Sequence, residues 1–286
     1  MIKILLALIV LFPTALNAQV SHTITWEKNT HKKTVSNWVS AVNATSKIGS
    51  TSYILKKSGG FDRHHATGHR DVIVWIPSTT DLSKPYLVLV WLHGNRGFIK
   101  SRTFIERTLR QVTPEAAAGS NFVLVLPEMP WTSNGRTPTG SGRRVWREQN
   151  AFVKFIDQIS GVLRGHDPDA SGEAEYRIVG HSAGGSAIRS LSLSGDLCRV
   201  NVSMVVWSDS TYGSWFGSAW SGCLGYQKDI INKVFVVKHG GPWRSIRAFL
   251  KKCNCADLVM LKVLSYPPWR HKTIGNNIVD LSGVLR

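Results

Sequence analysis

The sequence predicts an α/β protein in which a mostly parallel central sheet of about eight strands is flanked by helices. Short, continuous apolar runs alternate along the chain with stretches of helical spacing, as expected when buried strands alternate with helices. One run ends in Gly180-His181-Ser182-Ala183-Gly184, and a helix-like segment follows at once. The 286 residues are 43% hydrophobic and 19% charged, which is typical of a globular chain with a large core.

The first residues have the composition of a secretory signal peptide. Lys3 precedes an apolar run from Ile4 to Phe12, and a small residue stands at Ala18. The run is too short to span a bilayer, and no cysteine follows it to carry a lipid anchor. We therefore expect residues 1–18 to be a signal peptide and 19–286 to be a single domain. The protein should be secreted or periplasmic, without integral membrane association.

The elements follow in order from the apolar runs. Strands are predicted at 51–57, 72–77, 86–92, 121–126, 176–179, 202–207, 233–238 and 258–264. Helices are predicted at 103–112, 146–163, directly after the pentapeptide, at 242–252 and after His271. Pro127 ends one strand, and Pro242 suits the first turn of a helix. Two segments rich in Gly, Ser and aromatic or Arg residues, 127–145 and 210–227, lack a period and are predicted as loop insertions.

The charge of the chain indicates an anionic partner. A formal net charge of +17 and a pI near 10.0 attract anionic polymers such as cell-wall glycan, acidic polysaccharide, lipid head groups or nucleic acid. The basic residues are scattered rather than aligned along one helix, which argues against nucleic-acid binding. We expect an anionic polymer or a carbohydrate-containing substrate as the partner.

The cysteines are even in number, which suits an oxidising compartment. They are Cys198, Cys223, Cys253 and Cys255. Three disulfide pairings are possible, and the sequence leaves the choice open. Cys253 and Cys255, on either side of Asn254, would need a second pair of Cys or His residues to form a zinc site. No such pair stands at zinc-ligand spacing.

A second pattern raises the question of a metal, because His64, His65 and His69 stand close together. Only Asp62 lies at a fitting interval as a carboxylate partner, so a solvated loop is the preferred interpretation. No metal and no cofactor are expected.

The pentapeptide lies between a strand and a helix, which is the setting of a nucleophile elbow. From residue 51 to the end, the chain resembles the α/β-hydrolase fold superfamily, whose serine esterases and peptidases place a nucleophile at this turn. The resemblance implies that Ser182 is the nucleophile. It further implies a base and an acid at the carboxyl ends of later strands, in the chain order Ser, acid, His.

The resemblance makes His271 the base, because it lies a short loop beyond the last strand. His239, at the end of the preceding strand, is the rival. Many members of the superfamily carry the acid at that earlier position, so a histidine there is a departure.

The acid is harder to assign. After Lys238 the next carboxylate is Asp257, which precedes the last strand and stands at the wrong edge of the sheet. Asp209 follows the strand at 202–207 at the correct edge, where some members place their acid, and is the predicted acid. Glu128 faces the same edge and either binds substrate or replaces Asp209.

Two backbone N–H groups are expected to hold the oxyanion. One belongs to Ala183, directly after the nucleophile. The other belongs to the turn after the strand at 86–92, His93-Gly94-Asn95-Arg96-Gly97, which resembles the superfamily's His-Gly oxyanion turn. Within it, Asn95 is the predicted donor, with Gly94 beside it.

The two insertions leave the carboxyl edge of the sheet and are expected to form the walls of the site. Aromatic faces suit sugar rings or aryl groups, and arginines suit carboxylates or phosphates. The predicted substrate-binding residues are Trp131, Arg143, Arg144, Tyr212 and Trp215, together with Glu128. The alternative is that the tryptophans are buried beneath the loops.

These residues predict a secreted serine hydrolase that cleaves a carboxyl ester through an acyl-enzyme and needs no cofactor. Its substrate would be a carbohydrate-rich or anionic extracellular or envelope compound. A peptidase or amidase acting on cell-wall peptide is the second hypothesis. A non-catalytic binder of anionic polymer is the third.

Overall fold

A computed structural model describes residues 20–56, 71–94, 99, 101–129, 146, 148–253 and 255–286. Its strands are β1 (His22–Trp26), β2 (Ser50–Lys56), β3 (Asp71–Pro77), β4 (Tyr86–Leu92), β5 (Phe122–Pro127), β6 (Ala174–His181), β7 (Val202–Ser208), β8 (Ile231–Val237) and β9 (Val259–Leu264). The helices are α1 (Lys32–Thr45), α2 (Arg102–Ala117), α3 (Ala151–His166), α4 (Gly184–Leu193), α5 (Trp215–Ser221), α6 (Gly241–Leu250), α7 (His271–Gly275) and α8 (Ile278–Ser282).

The strands form one nine-stranded sheet in the order β1-β2-β3-β5-β4-β6-β7-β8-β9. β3 runs antiparallel to both its neighbours, β2 and β5. All pairs from β5 to β9 are parallel, so the carboxyl ends of six strands meet at one edge of the sheet. Ligands of open parallel sheets bind at this edge.

Helices cover both faces of the sheet, as the apolar strands require. Alternate residues of β4 belong to different cores: Val90 lies in the core beneath α3, α4, α5 and α6. Leu89 and Trp91 lie in the core beneath α1, α2, α7 and α8. Because successive side chains of a strand point to opposite faces, each strand contributes to both cores.

The eight predicted strands are all present, and the predicted mostly parallel α/β architecture is confirmed. The structure adds β1 and α1 before them. Helix α1 buries Trp38, Ala41 and Val42, which recur at intervals of three and one on one helical face. That spacing is the signal by which α1 could have been predicted.

The segment 210–227, predicted as irregular, contains α5. Phe216 and Ala219 lie three residues apart and are buried, so one face of this short helix packs into the core. The composition of Gly and Ser concealed this period. Most of the other predicted insertion, 130–145, lies outside the described residues, as do the histidines at 64, 65 and 69.

The four cysteines form two disulfides, Cys198–Cys223 and Cys253–Cys255. The first joins the end of the α4 region to the segment after α5. Among the described residues, no helix combines the length and the apolar character needed to cross a membrane.

Candidate active site

The turn between β6 and α4 has the geometry of a nucleophile elbow. Ser182 has a φ of +53°, a left-handed conformation that a non-glycine residue adopts at some cost. A Cβ on Gly184 would lie 2.3 Å from the carbonyl oxygen of Leu92, so only glycine fits there. The Ser182 N–H donates to the carbonyl of Ser208 at 3.1 Å, which anchors the turn to β7.

The turn after β4 lies directly against the elbow, because Leu92 of β4 pairs with Gly180 of β6. A Cβ on Gly94 would lie 2.7 Å from the Cβ of Ser182, so glycine is required for this close approach. The N–H of Ala183 has no acceptor among the described residues. Asn95, the predicted second donor, lies outside the described residues.

His93 holds this turn from below. Its ring is fully buried, and its Nε2 accepts a hydrogen bond from the N–H of Met129 at 2.9 Å. The other ring nitrogen, Nδ1, therefore carries the proton and donates to the carbonyl of Gly94 at 2.8 Å. The bond fixes the direction of the Gly94 peptide, and with it the backbone that faces Ser182.

Glu128, predicted either to bind substrate or to replace Asp209, is fully buried. Its Oε2 accepts a hydrogen bond from the N–H of Ile99 at 2.7 Å and lies 3.8 Å from the Nε2 of His93. It thus supports the chain after β4, beneath the site. In the described part of the chain the Glu128 carboxylate thus contacts Ile99 and His93, whereas His271 contacts a different carboxylate, Asp209.

Asp209 and His271 form the central polar pair of the site. Nδ1 of His271 lies 2.6 Å from Oδ2 of Asp209, a charge-assisted geometry that orients the ring. The other carboxylate oxygen accepts from the N–H of Val237 at 3.2 Å. Asp209 is buried and has a φ of +46° directly after β7. The acid predicted at this strand end is therefore the one that contacts His271.

The rival base, His239, is exposed and directed elsewhere. Its ring packs edge-on against Trp243 at a centroid distance of 5.2 Å. Asp257, the carboxylate at the opposite edge, is exposed in the described part of the chain. The structure thus pairs Asp209 with His271, as the sequence predicted.

His181, which precedes the nucleophile, lies against the ring of His271. The two rings are stacked with centroids 4.7 Å apart. Nδ1 of His181 donates to the carbonyl of Ser208 at 3.0 Å. Burial, and then the neighbouring His271, lower the pKa of His181 to about 4, so this ring is neutral at physiological pH. The sequence alone indicated no role for His181.

The Tyr212 hydroxyl reaches the same centre. Its oxygen lies 3.5 Å from Nδ1 of His271. Burial, then the Asp209 carboxylate, raise the pKa of Tyr212 to about 12, so its hydroxyl stays protonated. Trp215 contacts Tyr212 edge-on at 5.5 Å and so lies behind it. Of the aromatic residues predicted in the 210–227 segment, Tyr212 is the one that touches the site's polar groups.

Other aromatic residues of this segment belong to the core. Phe216 packs against Trp207 and stacks with Trp220, which in turn contacts Phe249. Trp220 is thus partly buried and packs against the core. Trp131, Arg143 and Arg144 lie outside the described residues.

A cavity of about 650 Å³ opens over Ser182 and His271. Its described walls come from α2 and α7, on the α1-α2-α7-α8 face of the sheet, rather than from the segment 210–227. Further lining residues are Trp91, Gly94, Ser101, Thr103, Phe104, Arg107, Thr108, Gln111, His181, Lys272, Gly275 and Asn276. This wall of the cavity was not predicted, because the sequence pattern indicates only that α2 is a helix that packs on the sheet.

The structure of this chain is similar to solved structures of other proteins. The structure of the protein FAE covers 84% of this chain and 89% of its own, with 14% identity and a TM-score of 0.54. The feruloyl esterase module from Clostridium thermocellum, complexed with sinapinate, is 13% identical with a TM-score of 0.51. That match covers 80% of this chain and 85% of the module. The chain has the α/β-hydrolase fold. No protein-family model and no curated protein sequence matches the chain.

Proposed function

We propose that the protein is an exported serine carboxylesterase that works through an acyl-enzyme. The observation that carries the proposal is the 2.6 Å contact between Asp209 and His271 at the cavity that also contains Ser182. A serine hydroxyl needs such an oriented base, since it is a weak nucleophile at neutral pH. The elbow conformation of Ser182 presents its hydroxyl to that cavity.

In the first half-reaction the Ser182 oxygen attacks the ester carbonyl carbon, and Nε2 of His271 takes the hydroxyl proton. Nδ1 keeps its hydrogen bond to Asp209, which stabilises the imidazolium that forms. The tetrahedral intermediate then collapses. His271 gives its proton to the departing alcohol, and the acyl group remains on Ser182.

The negative charge of the intermediate needs backbone donors. The N–H of Ala183 is without an acceptor in the described part of the chain and stands next to the nucleophile. The Gly94 turn, held by His93, supplies the second donor, which we assign to Asn95. Preorganised donors of this kind contribute about 10²- to 10³-fold each to the rate.

In the second half-reaction His271 takes a proton from water, and the resulting hydroxide attacks the acyl carbonyl. The bond between the acyl carbon and the Ser182 oxygen then breaks. His271 returns the proton to Ser182, and a carboxylic acid leaves. All of these steps use side chains and backbone groups of this chain.

The proposed substrate is an ester in a carbohydrate-rich or anionic extracellular or envelope compound. The predicted signal peptide, 1–18, and two disulfides support export to an oxidising compartment. The net charge of +17 supports attraction to an anionic surface or polymer.

Short-chain nitrophenyl esters, assayed beside purified cell-wall peptides, test the proposal. We expect ester turnover that Ser182→Ala abolishes. Ser36→Ala, on the exposed face of α1, is the matched control and should keep it. Turnover of the peptides alone would replace the esterase by a peptidase or amidase, and turnover of neither would remove the enzyme hypothesis.

A further inference from the structure

The cavity over Ser182 carries positive charge on two of its walls. Arg107 projects from α2, and Lys272 is the second residue of α7. Lys272 directly follows His271 in the chain, so its charge stands at the entrance to the polar centre. Neither position was singled out in the sequence, where both belong to ordinary helix surfaces.

These charges are not neutralised within the described part of the chain. None of the described residues that line the cavity is an aspartate or a glutamate. The nearest acidic residue along α2, Glu106, pairs instead with Arg102 at 2.7 Å. No ion pair joins Arg107 or Lys272 to a described carboxylate, although such pairing is the usual arrangement for a half-buried arginine.

The two charged walls are fixed to each other by Gln111. Its Nε2 donates to the carbonyl of Gly275 at 3.1 Å, at the end of α7. Its Oε1 accepts from the N–H of Val279 at 3.3 Å, in α8. Helix α2, which carries Arg107, is thereby joined to the segment that carries His271 and Lys272.

The rest of the cavity suits a small organic group. Phe104 and Trp91 supply apolar surface, and the hydroxyls of Ser101 and Thr103 supply hydrogen-bonding groups. A volume of about 650 Å³ accommodates a compact ester rather than a long polymer segment. The cavity thus combines a reacting centre, an apolar wall and two unneutralised cations.

We propose that Arg107 and Lys272 form an anion subsite that binds a carboxylate, phosphate or sulfate carried by the ester substrate itself. The inference rests on the proposed esterase function and deepens it, because it assigns the charge to the bound substrate rather than to a distant polymer surface. A planar guanidinium binds the two oxygens of such a group in parallel, and the ammonium adds a second charge. The subsite binds and orients the substrate and takes no part in bond breaking.

Matched esters test the subsite. The mono-4-nitrophenyl ester of adipic acid is compared with 4-nitrophenyl hexanoate, which has the same chain length without the carboxylate. 3-Acetoxybenzoate is compared with phenyl acetate, which moves the negative charge to the leaving-group side. For at least one pair we expect kcat/KM to favour the anionic ester by about tenfold, and the favoured pair shows which side of the ester the subsite holds.

The preference should fall when the charges are removed. Arg107→Gln and Lys272→Gln should each reduce the ratio of anionic to neutral kcat/KM, and the double variant should bring it close to one. Arg107→Lys should keep part of it. Because the ratio is taken within one preparation, loss of folded enzyme cancels. Arg110→Gln, exposed on the same helix, and Lys251→Gln, exposed after α6, are the matched controls and should keep the wild-type ratio.

The results of these assays distinguish a failure of the anion subsite from a failure of the proposed esterase function. If the wild type hydrolyses the neutral esters and shows no anionic preference, the subsite is wrong and the esterase stands. A preference that survives the double variant also overturns the subsite. If no ester in either set is hydrolysed, the proposed function fails. A fall in the preference with rising ionic strength would support the subsite further.

Discussion

At the scale of single residues, the structure places the Tyr212 hydroxyl beside His271, a contact that the sequence did not predict. The hydroxyl oxygen lies 3.5 Å from Nδ1 of His271, and the two rings meet edge-on with centroids 6.2 Å apart. With a pKa raised to about 12, the hydroxyl remains a donor throughout the range in which esterases are assayed. It can therefore donate a hydrogen bond at the centre that contains Asp209 and His271.

Tyr212→Phe removes this hydroxyl and keeps the ring. We expect kcat/KM for a neutral nitrophenyl ester to fall by about tenfold, the value of one hydrogen bond at the reacting centre. Tyr226→Phe, at an exposed tyrosine, is the control. Equal activity of Tyr212→Phe and the wild type would show that the Tyr212 hydroxyl has no catalytic consequence.

His181 predicts a dependence of stability on pH. Its pKa is about 4 in the folded protein and 6.5 as a free side chain, so the unfolded chain takes up the proton first as pH falls. The contribution of His181 is therefore complete above pH 6.5 and is lost between pH 6.5 and 4. Since part of the ring borders the cavity, where solvent screens it, we expect a loss of about 2 kcal/mol.

Urea unfolding of the wild type and of His181→Asn at pH 7 and pH 4 measures this loss. The free energy of unfolding of the variant should fall less over that interval, by about 2 kcal/mol. Parallel falls in the two proteins would mean that His181 is not held neutral by the fold.

At the scale of elements, α7 carries His271 and packs on the elbow. Gly275, at the end of this helix, lies against His181, and a Cβ there would be 2.7 Å from the His181 ring. The ring has little room to move, because it also stacks on His271. The position of the base thus depends on the absence of a side chain at residue 275.

Gly275→Ala should push α7 away from the elbow. We expect kcat for ester hydrolysis to fall by at least about tenfold, because small displacements of a reacting group are costly. Gly161→Ala, in the middle of α3 where a Cβ meets nothing within 4 Å, is the matched control. It should keep activity and stabilise the protein by about 0.5–1 kcal/mol. Full activity of Gly275→Ala would show that α7 is not set by this contact.

Element prediction succeeded where burial on two faces makes a strand a continuous apolar run, as in β4 and β5. It failed for β1, because a strand at the sheet edge keeps polar residues such as His22 and Thr25 and gives no such run. It also failed for α5, whose two buried positions, Phe216 and Ala219, are too few to establish a period. The failures for β1 and α5 have the same cause: an element that buries few side chains has only a weak hydrophobic pattern in its sequence.

At the scale of the whole molecule, the disulfide Cys198–Cys223 joins the end of the α4 region to the segment that follows α5. It closes a loop with a sequence separation of 25. Cys253–Cys255 has a separation of 2 and constrains very little chain. The loop-entropy estimate for the longer loop is about 3.5 kcal/mol.

We therefore expect the double substitution Cys198→Ala with Cys223→Ala to lower the free energy of unfolding by about 3 kcal/mol. The corresponding double substitution at Cys253 and Cys255 should have a much smaller effect and serves as the control. Denaturant titration of both variants under oxidising conditions makes the comparison. An equal effect of the two would contradict the dependence on loop length.

The polar residues at the centre of the candidate site could be predicted from the sequence better than the residues that line its cavity. Ser182, Asp209 and His271 could be predicted to lie close together because each follows a recognisable strand at the same edge of a parallel sheet, and the structure brings them together. Arg107 and Lys272 could not be predicted as part of the site, since a charged residue on a helix has no local mark that distinguishes a cavity from solvent. The burial of Glu128 could not be predicted, because strand order shows the edge of the sheet at which a side chain lies but not whether that side chain is exposed.

The most direct test of the central claim, that Ser182 is an activated nucleophile, is covalent labelling of the folded protein by a fluorophosphonate, followed by peptide mapping. We predict one adduct per chain, on the peptide that contains Ser182, absent from Ser182→Ala and retained in Ser36→Ala. A folded protein that takes up no label, or an adduct at any other residue, would contradict it.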